Sequence, residues 1–150
     1  MALPMEQLSE WSLPALLRAA RRVYGQAIRA SLAEVGFDDV PRNGIFVIGA
    51  IARTEAPLAE IIDQLGVSKQ AASQLVDTLV VRGYLDRSID PDDRRRLRIA
   101  LTDRGAAAAE VIRAAVEGVD RALAARIGDH YVAHTRATLA SLITGAAVDA

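Results

Sequence analysis

Apolar residues recur at steps of three and four through Leu13, Leu16, Leu17, Ala20, Tyr24, Ala27, Ile28, Leu32 and Val35. That is the period of one face of a long α-helix. Arg18, Arg21, Arg22 and Arg29 lie mainly off the stripe, and Gly36 is placed to end it. A second helix is expected to carry Ile45, Phe46, Ile48 and Ile51 and to stop near Arg53. A short helix follows, with Pro57 suited to its first turn and Leu58, Ile61, Ile62 and Leu65 facing inward. Gly66-Val67 makes a tight turn. Ser68 is then a good N-cap for a helix running to Arg82, with Gly83 as its terminator.

The period then changes. Tyr84-Leu85-Asp86-Arg87-Ser88 reads as a short strand, and Asp90-Pro91-Asp92-Asp93 is rich in turn formers. Leu97, Ile99 and Leu101 alternate with Arg98 and Ala100, the two-residue period of a strand. Together these segments predict a β-hairpin with a charged tip. Thr102 can cap the next helix, with Asp103 in its first turn. Ile112, Val116, Val119, Leu123 and Ile127 form the stripe of that helix, widened by Ala108, Val111, Ala115 and Ala122. Gly128-Asp129 breaks it, and Asp129 is expected to cap a final helix carrying Val132, Leu139, Leu142, Ile143 and Ala146.

The expected fold is mainly α with a small β-hairpin, in a single domain over 1–150. A winged helix-turn-helix lobe occupies 40–102. A helical dimerisation region is formed by the N- and C-terminal helices, 8–36 and 103–148. The stripes of the two arms need a partner, and a second copy of the chain is the economical one, because twofold homodimers are the commonest oligomers.

Composition narrows the chemistry. The chain has 150 residues, 51% apolar and 25% charged, which suits one compact domain and argues against disorder. There is no cysteine, so disulfides, thiolate metal sites, a cysteine nucleophile and thiol redox sensing are excluded. No apolar run is long enough to cross a bilayer, and MALPMEQLSEW lacks the layout of a signal peptide. A cytoplasmic protein without membrane contact is the expectation. Of the 18 basic residues only Lys69 is a lysine, which points to a GC-rich genome more than to a function. The net charge is −1, so any affinity for nucleic acid has to come from a local patch.

Such a patch is present. On the helix after Ser68, Ala72, Leu75, Val76 and Leu79 point to the core, while Lys69, Gln70, Ser73, Gln74 and Asp77 fall on the opposite face. Two short helices joined by a Gly-containing turn make a helix-turn-helix. An outer face of short hydrogen-bonding groups suits the donor and acceptor code of a major groove. The bland reading of the same residues is a solvated helix face. Arg94, Arg95, Arg96 and Arg98 on the hairpin add cations that can enter a narrow minor groove or touch phosphates. Asp93 is expected to hold the Arg95 guanidinium through a charge-assisted bond. Asp92-Asp93 beside three arginines reads as a salt-bridged turn and not as a pair of catalytic acids.

Other constellations are weaker. His130 and His134 are four apart on a predicted helix, with Asp129 as a conceivable third ligand, but surface or interface histidines explain them more simply. No metal or cofactor is expected. Ser68, Ser73 and Thr102 have no histidine in a nucleophile's layout, and no phosphate-binding glycine loop exists, so an enzyme is the weakest class. Trp11, Tyr24 and Phe46 are candidates to line an effector cleft, with ordinary packing as the competing reading. Arg18, Arg21 and Arg22 either receive an anionic effector or face solvent.

The chain resembles the MarR-type winged-helix transcription regulators. The matching elements are the Leu65-Gly66-Val67-Ser68 turn, the Leu75-Val76-Asp77-x-Leu79 core and Gly83-Tyr84-Leu85. Asp90-Pro91-x-Asp93-x-Arg95 and then Leu101-Thr102-x-x-Gly105 complete them. The resemblance implies an obligate homodimer with interlocked first and last helices, a recognition helix at 68–82, and Arg95 as the minor-groove residue. It also implies double-stranded, roughly palindromic DNA as the partner, and repression relieved by a small aromatic or anionic effector. Two features depart from the family pattern: Ala56-Pro57 stands where a Ser or Thr cap is usual, and Ile62 replaces a small residue. A helical dimer that uses its winged helix for protein partners, without DNA, is the alternative.

Overall fold

The computed structural model describes residues 5–54, 57–95 and 97–146. The helices are α1 (Met5–Ser9), α2 (Leu13–Glu34), α3 (Gly44–Arg53), α4 (Leu58–Asp63), α5 (Lys69–Val81), α6 (Asp103–Ile127) and α7 (Asp129–Ala146). Strands β1 (Leu85–Ile89) and β2 (Leu97–Leu101) separate α5 from α6. The chain divides into two compact units, Met1–Ala115 and Val116–Ala150.

The first unit holds the core. Ile28 and Leu32 of α2, Ile45, Val47 and Ile48 of α3, and Ile61 of α4 are buried. Ala72, Val76 and Leu79 of α5 join them, with Tyr84, Leu85, Ala108, Ala109 and Ile112. Each large aliphatic side chain buried here contributes about 1.5–3 kcal/mol against solvent exposure. The turn chemistry read from the sequence is in place. At the end of α5 the Gly83 N–H donates to Val80 and the Tyr84 N–H to Leu79, a paired closure that needs the positive φ of 77° at Gly83. Ser68 caps α5 by accepting from the Ala71 N–H at 3.1 Å.

The hairpin is antiparallel, with Leu85 opposite Leu101 and Ile89 opposite Leu97. Its base is fixed to α6. Thr102 donates its hydroxyl to the Gly83 carbonyl and accepts from the Gly105 N–H at 3.0 Å. A Cβ on Gly105 would stand 2.0 Å from the Tyr84 carbonyl oxygen, so only glycine lets the first turn of α6 approach so closely.

Two expectations change, and two features go beyond what periodicity reveals. Pro57 is not inside α4 but at its N-cap, with ψ at 142° and no side-chain cap bond; Ala56 lies outside the described residues. Asp129 does not cap α7 but opens its first turn, because Gly128, at φ 98°, takes the non-helical position ahead of it. The α2 stripe is only half used: Ile28 and Leu32 are buried, while Leu13, Leu17 and Val35 are exposed. A short α1 precedes it, too brief for periodicity to reveal.

In the second unit, Val116, Val119 and Leu123 of α6 and Val132 and Leu139 of α7 are half-buried. Leu142 and Ile143 are exposed. Arg136 pairs with Asp120 across the two helices.

Candidate nucleic-acid interface

Helix α5 is two-sided. Ala72, Val76 and Leu79 are buried, and Lys69, Gln70, Ser73, Gln74 and Asp77 are exposed. Side chains spaced one, three, one and three residues apart share a face because the helix turns once per 3.6 residues. The groove between α4, α5 and the hairpin gathers Lys69, Ser73, Asp77, Arg87 and Arg98. Gln70 and Gln74 are exposed on α5 but do not line it. The Ser68 oxygen is engaged as the cap, which leaves its hydroxyl proton for an outside acceptor.

Sequence reasoning missed the tie between α5 and the hairpin. The Arg87 guanidinium of β1 donates to the Asp77 carboxylate of α5. This ion pair removes an unpaired negative charge from a face otherwise made of cationic and neutral donors. It also holds the root of the hairpin against α5. The available signal was the alternation of β1, which puts Arg87 on the same side as Leu85.

At the tip, Asp90 accepts from the Asp92 N–H at 2.9 Å and Asp93 from the Arg95 N–H at 3.0 Å. The expected bond from Asp93 to the Arg95 guanidinium is therefore replaced by one to the backbone. A carboxylate two residues ahead of an amide is set for this Asx-type closure. The salt-bridged turn is likewise corrected: among the described residues these carboxylates fold the loop and pair with no guanidinium. Arg94, Arg95 and Arg98 are exposed, and Arg96 lies outside the described residues.

The other candidates stay apart. Trp11 is exposed, Tyr24 is half-buried on α2, and Phe46 lies 4.0 Å beneath the Arg21 guanidinium. None of the three lines the groove beside α5 or the arginine-lined cleft on α2. His130 and His134 meet edge to face with centroids 4.3 Å apart. Asp129 does not complete a set with them: no group of three His, Cys, Asp or Glu residues converges among the described residues. No described helix is long and apolar enough to cross a membrane.

Comparison with known proteins converges on one family. A MarR family model matches residues 38–96. The exopolysaccharide II synthesis transcriptional activator ExpG of Rhizobium meliloti (strain 1021) is 31% identical over 106 residues, 71% of this chain. The chain spans about half the length of that relative, 54%. The transcriptional repressor CouR, solved on a 23-mer DNA duplex, is similar over 95% of this chain and 99% of CouR, with a TM-score of 0.67 and 25% identity. S. aureus MepR shares the fold in a DNA complex, over 91% of this chain and 99% of MepR (TM-score 0.68, 19% identity). It does so again when bound to ethidium bromide, over 91% and 98% (TM-score 0.56, 18% identity). With its helix-turn-helix, its hairpin and its flanking helices in the matching order, this chain belongs to the MarR family of winged-helix regulators.

Proposed function

We propose that the chain is a homodimeric, ligand-responsive transcription regulator that represses genes by binding roughly palindromic double-stranded DNA in the cytoplasm. The carrying observation is the exposed row Lys69, Gln70, Ser73 and Gln74, backed by buried Ala72, Val76 and Leu79 and tied by Asp77–Arg87 to an arginine-tipped hairpin. Each subunit places α5 in a major groove and the hairpin tip in the adjoining minor groove. Gln70, Ser73 and Gln74, with Ser68 at the helix start, discriminate bases. Lys69, Arg94, Arg96 and Arg98 touch phosphates or groove edges, and Arg95 enters the minor groove. CouR and MepR, both solved with DNA, support this reading.

The dimer rests on the apolar positions each copy leaves open. Leu13 and Leu17 of α2 and, in the second unit, Leu142 and Ile143 of α7 are exposed in the single chain. A second copy covers them and brings two reading helices about one DNA turn apart. An effector then acts by preferring one separation of the helices over another. Trp11, Tyr24 and Phe46 remain the proposed aromatic contacts for it, and the MepR–ethidium structure supports a small-molecule partner. No cofactor and no catalytic step belong to this proposal. The repressor CouR, matched over 95% of this chain and 99% of its own, supports repression more fully than the activator ExpG, matched over 54% of its length, supports activation.

Footprinting of the purified protein on the DNA upstream of its own gene, in a salt series, tests the reading. A protected, roughly twofold-symmetric site whose affinity falls with salt is expected. Absence of any salt-dependent shift would instead favour a protein-binding module, and a stable monomer in solution would remove the geometry.

A further inference from the structure

A second basic feature lies apart from α5. Arg22, Gln26 and Arg29 of α2 and Arg42 of the α2–α3 loop line one cleft of about 520 Å³. Steps of four and three place the first three on one helix face, and Arg42 joins them from the loop, two positions ahead of α3. Among the described residues no carboxylate lines the cleft. Among the described residues none of its three guanidiniums makes an ion pair, whereas Arg87, Arg104, Arg113 and Arg136 each do. Arg29 is half-buried and folds back on its own helix: its Nη1 lies 3.4 Å from the point where a Cβ on Gly25 would stand. Gly25, without a Cβ, leaves the room for that fold-back.

Three cations gathered in one concavity without a counter-charge repel one another, and an anion is the partner that relieves this. Guanidinium forks match the oxygens of carboxylates and phosphates. Three forks and an amide supply more donors than one carboxylate can accept, whereas a phosphate group offers three terminal oxygens and up to two charges. We propose that this cleft is a phosphate-binding site, with Arg29 and Arg42 as its principal cations. Its volume exceeds a lone phosphate ion and suits a larger phosphorylated molecule. The same chemistry is also offered by the backbone of a bound duplex.

Calorimetry with inorganic pyrophosphate on the full chain, at fixed ionic strength and without DNA, tests the site independently of the proposed regulatory function. Wild type and Arg53→Gln, altered at the end of α3 outside the cleft, should bind pyrophosphate; Arg29→Gln/Arg42→Gln should bind at least about tenfold more weakly. Unchanged thermal midpoints confirm that the variants fold. A second arm compares the salt dependence of DNA binding. A double variant whose slope of log K against log salt falls by about 2 identifies duplex phosphates as the source. An unchanged slope with lost pyrophosphate binding identifies a free phosphorylated molecule. Equal pyrophosphate binding by wild type and double variant, or none by either, together with an unchanged slope overturns the proposal.

Discussion

The Tyr84 phenol donates to the Asp39 carboxylate, joining the residue before β1 to the α2–α3 loop 45 positions earlier. Arg104 of α6 completes the triangle, reaching the Asp39 carboxylate at 3.1 Å and the Tyr84 hydroxyl at 3.0 Å. The Arg82 guanidinium adds a bond to the Asp39 carbonyl. Three segments of the first unit thus meet on one carboxylate, beside the end of the reading helix.

That meeting has a pH signature. The Tyr84 hydrogen bond holds the Asp39 carboxyl below its ordinary value of 3.8. Burial, reinforced by Asp39, pushes the Tyr84 phenol from 10.0 up to about 12. The depressed carboxyl contributes stability that is present above 3.8 and lost as pH falls through its folded value. The raised phenol contributes stability that is present below 10.0 and lost as pH rises toward about 12. Tyr84→Phe should cost about 1–2 kcal/mol at neutral pH. Denaturant unfolding of both proteins across pH should show the difference narrowing at each end. A difference that stays constant to pH 12 would contradict the pairing.

Two glycines separate close approach from mere flexibility. Gly105→Ala puts a Cβ 2.0 Å from the Tyr84 carbonyl oxygen, backbone that cannot swing aside. A loss of about 3 kcal/mol is expected. Gly49→Ala, inside α3, meets only Ile112 Cγ2 at 3.5 Å, an ordinary contact. It should be neutral or add up to about 1 kcal/mol through helix propensity. Thermal midpoints of the two variants provide the check, and equal effects would mean that the α6–Tyr84 approach is looser than described.

Much of this architecture is legible in the residues because local signals and burial agree. Ser68, Gly83 and Thr102 cap and terminate as their types predict, and Ala72, Val76 and Leu79 are buried on their helical period. Which positions of the α2 stripe are covered within the chain was not legible, since periodicity marks which face is apolar but not what covers it. The bonds of Asp39, Asp77 and Asp93 were hidden for different reasons. The first two join residues 45 and 10 positions apart, where only the fold sets the distance. For Asp93 both a guanidinium and an amide were in reach by spacing, and the nearer backbone donor takes the bond.

The Asp77–Arg87 pair should matter for reading more than for stability. Both side chains are substantially exposed, so losing the pair costs about 0.5 kcal/mol or less. Asp77→Ala frees Arg87 and unties the hairpin from α5. DNA affinity is expected to fall about three- to tenfold even though a negative charge has been removed from the interface. Restoring a carboxylate with Asp77→Glu should recover part of it. Tighter binding by Asp77→Ala would show that charge, and not positioning, governs this residue.

Helix face and hairpin tip should fail in different ways. Gln70→Ala or Gln74→Ala removes an amide proposed to read a base, so the preferred site should lose about 1–3 kcal/mol while random DNA binds as before. Arg95→Ala removes a groove cation and should weaken binding to every sequence, lowering the salt slope by about 1. Asp93→Ala keeps all the cations but deletes the acceptor of the Arg95 N–H. If the turn positions the arginine, Asp93→Ala should weaken binding in the same direction as Arg95→Ala with the salt slope nearly intact. It should do so without a shift in thermal midpoint, because residues 91–95 of the tip are exposed. Anisotropy titrations on specific and random duplexes at several salt concentrations separate the three patterns. Arg95→Ala with wild-type affinity at every salt would remove the hairpin from the interface and leave α5 to act alone.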